Sequence, residues 1–361
     1  MKKRITSILA LAMAALWITG CGGGGESTSA ETTKSDTAAA STTAAANEKY
    51  PESDIACVVP FGDTSGTNTI WRAFVSAGLE AELGVSCIFD NQSGASGSVG
   101  TTYALNQPAD GYTILMGSES TTMFKCLDLI DVTYDDMIPL CLVARDCGIL
   151  CTSPGSKFEG MNFQDVIDYM LANPGEVTVG TTGVGTMPWV WWTLFENTYG
   201  VDITQVSFDG SGDANTALMG GHIDLFIPGI TTSSALVEAG SLVPICVLDE
   251  EKLEGYDCDT IIDYNADFQQ YLPYGSFFVA SVKAGTPEDI VKKLQDTFMK
   301  VYDNEEFQSF LQTRGNIPMG LTGDDAQEFM KRQQAIISWL MYDLGESEIE
   351  PSEYGVERIT E

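Results

Sequence analysis

Two short phrases constrain this chain more than anything else in it: Val58-Val59-Pro60-Phe61-Gly62-Asp63-Thr64-Ser65-Gly66-Thr67-Asn68 and Asn91-Gln92-Ser93-Gly94-Ala95-Ser96-Gly97-Ser98-Val99-Gly100. Each follows an apolar run, passes through a loop of Gly, Ser and Thr, and continues into a helix-like stretch. Such a loop turns free backbone N–H groups and a helix N-terminus toward whatever lies in front of it, which favours an anion. The device recurs at residues 180–186 and 209–213. Taken singly, each loop also reads as a plain turn, because Gly, Ser and Asn are turn formers. Four of them in one chain point to a cleft that closes around a small negatively charged molecule.

Between the loops the chain alternates. Residues 55–60 form a continuous apolar run, as in a buried parallel strand. Ile70, Phe74, Ala77 and Ala81 then recur at helical spacing until Gly84. Strands are expected at 85–89 and 112–117 with a helix at 97–105 between them, followed by a longer extended piece at 138–143 and 148–151. Further on, helices are expected at 162–173, 187–199 and 213–219, and strands at 177–180, 205–208, 223–227 and 242–248. A returning strand at 276–282 and long helices at 287–302 and 325–342 close the chain. This alternation predicts an α/β fold with a parallel sheet covered by helices.

A chain of 361 residues exceeds what one hydrophobic core usually organises, so two lobes are expected. The expected layout places the first lobe at 51–148, the second at 149–275, a return to the first at 276–345 and an acidic tail at 346–361. Two crossing segments would gather all four loops around one cleft, outside the carboxyl ends of the strands.

Met1-Lys2-Lys3-Arg4 is a basic leader and residues 5–18 are apolar, too short for a comfortable membrane span. Ile18-Thr19-Gly20-Cys21 resembles a bacterial lipobox, so residues 1–20 are expected to be a signal peptide and Cys21 the lipidated residue. Residues 21–50, rich in Gly, Ser, Thr and Ala, cannot bury a core and read as a flexible tether. The expected location is the outer face of the cytoplasmic membrane.

The net charge of −33 becomes −36 once Lys2, Lys3 and Arg4 are removed. That surface excludes nucleic acid as a partner and opposes adhesion to anionic lipid. Eight cysteines remain beside Cys21. Most sit in apolar runs, where cysteine behaves as a small buried hydrophobe, although Cys147 with Cys151 or Cys126 with Cys258 could pair. With no Cys-x-x-Cys spacing and a single histidine, His222, neither a metal site nor a cofactor is expected. Gly-x-Ser-x-Gly, a dinucleotide fingerprint and a phosphate-binding Walker loop are all missing, which argues against an enzyme.

The phrases named above, with Pro108-Ala109-Asp110-Gly111-Tyr112-Thr113-Ile114-Leu115, resemble those of the solute-binding proteins of tripartite tricarboxylate transporters, the Bug family. Asn173-Pro174-Gly175, Gly183-Val184-Gly185-Thr186, Asp209-Gly210-Ser211, Gly220-Gly221-His222-Ile223-Asp224 and Ala284-Gly285-Thr286-Pro287 continue the match, from about residue 53 to about 342. The resemblance implies a two-lobed periplasmic-binding-protein fold of the second type, with mixed sheets and a ligand cleft between lobes. It also implies delivery of a small anionic or zwitterionic solute, a di- or tricarboxylate or an amino acid, to membrane permease subunits by a monomer. Backbone N–H groups and water would hold the carboxylate. The site residues carried over are Phe61, Gly62, Thr64, Ser65, Gly66, Thr67 and Asn68 in the first loop, and Gly94, Ala95, Ser96 and Gly97 in the second. The second lobe supplies Thr182, Gly183, Gly185 and Thr186, then Asp209, Gly210 and Ser211. A ligand-sensing subunit for a membrane signalling kinase is the alternative use of the same lobes, with a hydrolase as the more distant alternative.

Three departures from the family pattern stand out. Thr64-Ser65-Gly66 and Asn68 replace a Gly-Gly and an Asp, yet the hydroxyls of Thr64, Ser65 and Thr67 still donate. Asp209 stands where relatives often carry a non-acidic residue, and would oppose a second anionic group unless the solute brings an ammonium. The usual Pro-Thr phrase is missing from residues 257–274, so that edge is expected to be remodelled. Trp189 reads either as cleft wall or as core, Arg72 as a cleft cation or an ion-pair partner, and His222 as a turn residue.

Overall fold

A computed structural model describes residues 49–359; the leader, Cys21 and nearly all of the tether lie outside the described residues. The elements run β1 (Ile55–Val59), α1 (Gly66–Phe74), α2 (Glu80–Leu83), β2 (Cys87–Asn91), α3 (Ser98–Leu105), β3 (Thr113–Ser118), β4 (Met137–Arg145) and β5 (Gly148–Thr152). They continue α4 (Phe163–Ala172), β6 (Val177–Thr181), α5 (Met187–Tyr199), β7 (Ile203–Ser207), α6 (Ser211–Met219), α7 (Ile230–Glu238), β8 (Val243–Leu248) and α8 (Ile261–Tyr264). The chain closes with β9 (Phe277–Lys283), α9 (Glu288–Tyr302), α10 (Glu305–Arg314), β10 (Ile317–Leu321) and α11 (Gly323–Asp343).

The first lobe is built on a six-stranded sheet of order β10-β4-β9-β3-β1-β2. Only the neighbouring pairs β2–β1 and β1–β3 are parallel; β9 runs antiparallel to β3 and β4, and β10 antiparallel to β4. The alternation at the start of the chain produces the parallel part, because each β–α–β crossover returns the strand in the same direction. β9 has no such crossover behind it. It re-enters from the second lobe, and the sheet is therefore mixed, in place of the parallel sheet expected from the alternation.

In the second lobe β5 pairs antiparallel with β8, and β6 pairs parallel with β7. The strand expected at 223–227 is reduced to two bridges. Leu225 pairs with Val179 and Phe226 with Cys151, which stitches the two pairs into one run, β7-β6-(225–226)-β5-β8. The extended piece expected to continue from 138 to 151 breaks at Asp146-Cys147 into β4 and β5, which lie in different sheets. That break is the first crossing between lobes; Gly275-Ser276 is the second. The two crossings touch, with the Asp146 N–H donating to the Ser276 carbonyl at 2.6 Å. A Cβ on Gly275 would stand 1.9 Å from the Asp146 carbonyl oxygen, so only glycine fits there.

The cores follow from the same pattern. Trp71, Phe74, Ile55 and Phe298 are among the buried residues between the six-stranded sheet and its helices. Trp189, Trp191 and Trp192 all belong to the second-lobe core, not to the cleft wall. The amphipathic α11 serves both lobes: Ala326 and Met330 pack under the first, Ile337, Leu340 and Met341 into the second-lobe cluster. Past α11 the chain folds back along it. Trp339 Nε1 donates to the Val356 carbonyl at 3.0 Å, and Arg358 holds Asp343 through two bonds of 2.7 and 2.8 Å. Residues 257–274, expected to be remodelled, hold α8 and a 3₁₀ turn at Ala266–Tyr271. Cys57, Cys87, Cys126, Cys141, Cys147, Cys151, Cys246 and Cys258 are free thiols. No helix among the described residues is long and apolar enough to cross a membrane.

Candidate functional site

The first loop leaves β1 at Phe61 and is laced in place by amide side chains. Asn91, the last residue of β2, donates from Nδ2 to the Phe61 carbonyl at 2.9 Å and to Asn68 Oδ1 at 3.0 Å. Asn68 also accepts from Arg72 Nε at 3.2 Å and donates to the Asp63 carbonyl at 2.7 Å. The Asn68 side chain is thereby spent within the loop and braces it. Among the described residues Arg72 forms no ion pair; it bonds to Asn68 and Asn91 and lies 4.4 Å above the Phe89 ring. Ser65 caps α1, its Oγ accepting the Asn68 N–H at 3.1 Å. The cap starts α1 at Gly66, four residues before Ile70, the first residue of the apolar spacing. The amides of Gly66 and Thr67, which line a cavity of about 50 Å³, have no intrahelical acceptor.

The second loop leaves β2 through four successive residues of positive φ: Gly94 (136°), Ala95 (44°), Ser96 (56°) and Gly97 (90°). For Ala95 and Ser96 this costs roughly 1–2 kcal/mol each, the kind of strain that gathers at ligand-handling sites. Opposite lies Gly183, φ 114°, where an added Cβ would stand 2.5 Å from Ser96 Oγ. The first loop meets the second lobe as well. The Gly212 N–H donates to the Thr64 carbonyl at 3.2 Å, and a Cβ on Gly62 would lie 3.7 Å from the Asp209 carbonyl oxygen. The two lobes thus close on each other at two places, loop to loop.

Three helix N-termini open onto the small cavity. Besides α1 there is α5, where Thr186 does not cap its own helix. Its hydroxyl donates to the Gly183 carbonyl at 2.7 Å and accepts from Thr182 Oγ1 at 3.0 Å. The α6 end is capped by Gly210, which has no side chain to offer. Helix N-termini carry partial positive charge.

A fourth helix, α7, is already filled. Asp146 Oδ1 accepts the N–H groups of Ile230 (2.6 Å) and Cys147 (2.9 Å), and Oδ2 accepts Thr231 Oγ1 (2.8 Å) and the Thr231 N–H (3.3 Å). Burial pushes the Asp146 carboxyl up to about 7, against the pull of these donors. A second carboxyl, Glu119, follows β3 at the same cavity and is 4 % exposed. Burial pushes it upward too, while the amides of Glu119 itself and Met187 and the hydroxyls of Ser276 and Ser118 oppose the shift. Among the described residues its buried Oε2 has no hydrogen-bond partner. Among the described residues, no Lys, Arg or His lines this cavity or its neighbour.

The neighbouring cavity, about 290 Å³, shares Phe61 and Thr182 with the first. Of the residues expected at the site, Phe61, Ser65, Gly66, Thr67, Thr182, Thr186, Gly210 and Ser211 line the smaller cavity. Gly94, Ala95, Ser96, Gly97, Gly183 and Asp209 line the larger with Phe61 and Thr182. Gly62, Thr64, Asn68 and Gly185 line neither. Gly62 and Thr64 meet the opposite lobe, and Gly185 backs onto Met123 and Leu127. Asp209 is exposed, and His222 is an exposed turn residue. The sequence reading missed Ser118, Glu119, Asp146, Met187, Pro188, Ser276 and Phe278, with Gly229 and Thr232 at the start of α7. The position of Glu119 just past β3 was the available signal, since ligands gather at the carboxyl ends of strands.

Comparison with known proteins agrees with this geometry. Protein BugT of Bordetella pertussis is 24% identical over 288 residues, covering 78% of this chain and 86% of its own. An R. palustris protein solved with adipate is 25% identical, with a TM-score of 0.74 over 82% of this chain and 98% of that one. The structure of the periplasmic binding protein BugD, 22% identical, superposes with a TM-score of 0.75 over 82% of this chain and 99% of that one. The family described as "Tripartite tricarboxylate transporter family receptor" matches residues 71–341. The chain belongs to that receptor family and has its two-lobed periplasmic-binding-protein fold.

Proposed function

We propose that this receptor captures a small carboxylate between its lobes and delivers it to the permease subunits of a tripartite tricarboxylate-type transporter. One observation carries the reading: the N-terminal turns of three helices, contributed by both lobes, open onto one cavity beside the loop-to-loop contacts. The adipate held by the R. palustris relative supports a carboxylate as the cargo. The amides at Gly66, Thr67 and Ser211 and the hydroxyls of Ser65 and Thr67 take the carboxylate, while the Thr182 and Thr186 hydroxyls, whose protons go to Thr186 Oγ1 and the Gly183 carbonyl, brace the loop beside it. Phe61, Gly94 to Gly97, Gly183, Asp209 and Gly210 form the surrounding wall, and Gly62, Thr64, Asn68 and Gly185 set the loops in register.

Binding is the whole task; no chemical step is needed. The mature protein is a monomer held by lipid at Cys21 to the outer face of the cytoplasmic membrane, with residues 21–50 as its tether. The lobes, 51–148 with 276–345 and 149–275, open by bending at the two crossing segments and close on the solute. The test is a thermal-shift screen of the purified protein against mono-, di- and tricarboxylates and amino acids. A ligand of the native state raises the melting temperature as its concentration passes Kd. A concentration-dependent rise with any of these acids is expected; none with all of them would refute the reading.

A further inference from the structure

The first crossing between the lobes carries an ion pair that the cleft does not use. Arg145, the last residue of β4, donates from Nη1 to Asp249 Oδ2 at 2.7 Å. The two side chains are 17% and 5% exposed, which makes this the most buried ion pair among the described residues. The Arg145 backbone is fixed in the first lobe, between Phe277 of β9 and Ile317 of β10. Asp249 belongs to the second lobe: it follows β8, and its Oδ1 accepts the Glu250 N–H at 2.8 Å. The bond therefore spans the joint at Asp146-Cys147. Burial pushes the Cys147 thiol upward, Asp146 and Asp249 add to that push, and Arg145 opposes it, so both members of the pair lie close to the joint. Neither lines the small cavity or its neighbour.

We propose that Arg145 and Asp249 are positioning residues, a latch across the joint that holds the lobes closed and so sets the affinity for every solute. The assignment rests on the carboxylate-receptor reading above, whose closure it governs. The pair is made in a conformation where the lobes meet, with the Gly212 N–H reaching the Thr64 carbonyl across the cleft. Bending at the joint carries Asp249 away with its lobe and lets water reach both charges. A variant lacking one partner leaves the other charge buried and unpaired only while the lobes are closed, which penalises closure. Apparent affinity scales with the fraction of the protein in the binding-competent state, so that penalty falls on every solute by one common factor. A residue touching the solute would instead change the ranking of acids.

Isothermal titration calorimetry decides the matter, with acetate, succinate, adipate, citrate and glutamate offered to wild type, Asp249→Asn, Arg145→Met and the double variant. Each single change should weaken every acid that wild type binds by at least about tenfold, and by the same factor for each, from the charge left unpaired. The melting temperature of the unliganded protein should stay within about 2 °C of wild type, because open lobes leave the pair unmade. The double variant strands no charge, so it should bind no more weakly than the weaker-binding of the two single variants. Affinity within about threefold of wild type in both single variants overturns the proposal and leaves the carboxylate-receptor reading intact. Losses confined to some of the acids, a lowered melting temperature with affinity kept, or additive losses in the double variant do the same. No acid bound by wild type overturns both. Should Asp249→Asn fail to fold by circular dichroism, Arg145→Met carries the prediction alone, with the same loss expected and the same results against it.

Discussion

The N-terminus of α7 and that of α1 face one cavity and are built alike, yet they are in opposite states. At α7, Gly229-Ile230-Thr231 presents two amides and a hydroxyl, and the Asp146 carboxylate fills them. At α1, Ser65-Gly66-Thr67 offers the same kind of donors, with no resident anion. The filled end displays within the molecule how a carboxylate is held by a first helical turn without arginine. It also lies at the crossing between lobes, since Asp146 is the residue that bonds to Ser276. The comparison separates two uses of one device. At α7 it fastens the crossing permanently, and at α1 it is available for a solute that comes and goes.

The comparison can be broken most severely by closing the open side. Gly183→Val places bulk where even a Cβ would be 2.5 Å from Ser96 Oγ, at a φ of 114° that valine resists. We expect carboxylate binding to fall below detection by calorimetry with the circular dichroism spectrum unchanged; binding within tenfold of wild type would remove the loops from the site. Emptying the filled side comes next. Asp146→Ala strips the acceptor from three amides and a hydroxyl, and should cost about 3 kcal/mol of unfolding free energy in urea denaturation, from groups left buried and unpaired. A loss under ~1 kcal/mol would mean the α7 end is not the fastening described.

A gentler change sharpens the contrast. Thr67→Val keeps the shape at α1 and deletes one donor, so affinity should drop by about fivefold, roughly 1 kcal/mol, with the melting temperature of the unliganded protein nearly unchanged. The corresponding Thr231→Val should do the reverse, lowering stability and sparing affinity. The smallest effect concerns pH. The folded-state carboxyls of Asp146 and Glu119 titrate above their unfolded values, so the folded protein keeps protons that the unfolded chain releases. Stability is therefore greatest below the unfolded carboxylate range near 4 and declines as pH rises toward about 7. The melting temperature of Glu119→Gln should decline less steeply over that window than that of wild type. Tyr134 and Tyr274, pushed far above that window by burial and then by the neighbouring Glu119 carboxyl, stay neutral and contribute nothing there. An identical slope in the variant would contradict the shift assigned to Glu119.

What could be read from the chain divides along the same line. The open ends were legible because glycine, serine and threonine after an apolar run have a local physical meaning, and α1, α5 and α6 begin where those loops end. The filled end was not. α7 is Ile-Thr-Thr-Ser-Ser-Ala-Leu-Val-Glu, rich in β-branched and hydroxyl residues that are indifferent helix formers, and its start is capped by a residue 84 positions earlier in the chain. Asp146 beside Arg145 looked like any surface pair among 51 acidic residues, and Glu119 carried no motif. Their burial is a product of tertiary packing, where two lobes and two crossings meet. Asn68 shows the converse: a residue in the right phrase whose side chain is consumed in bracing the loop.

The most direct measurement is the amide nuclear magnetic resonance spectrum of the isotopically labelled protein during titration with the tightest acid from the calorimetric panel. The account predicts large downfield shifts for the Gly66 and Thr67 amides as they gain a carboxylate acceptor, with those of Ile230 and Thr231 almost still because Asp146 already occupies them. Unmoved amides at Gly66 and Thr67 in a protein that binds the acid, or larger shifts at Ile230 and Thr231, would contradict it.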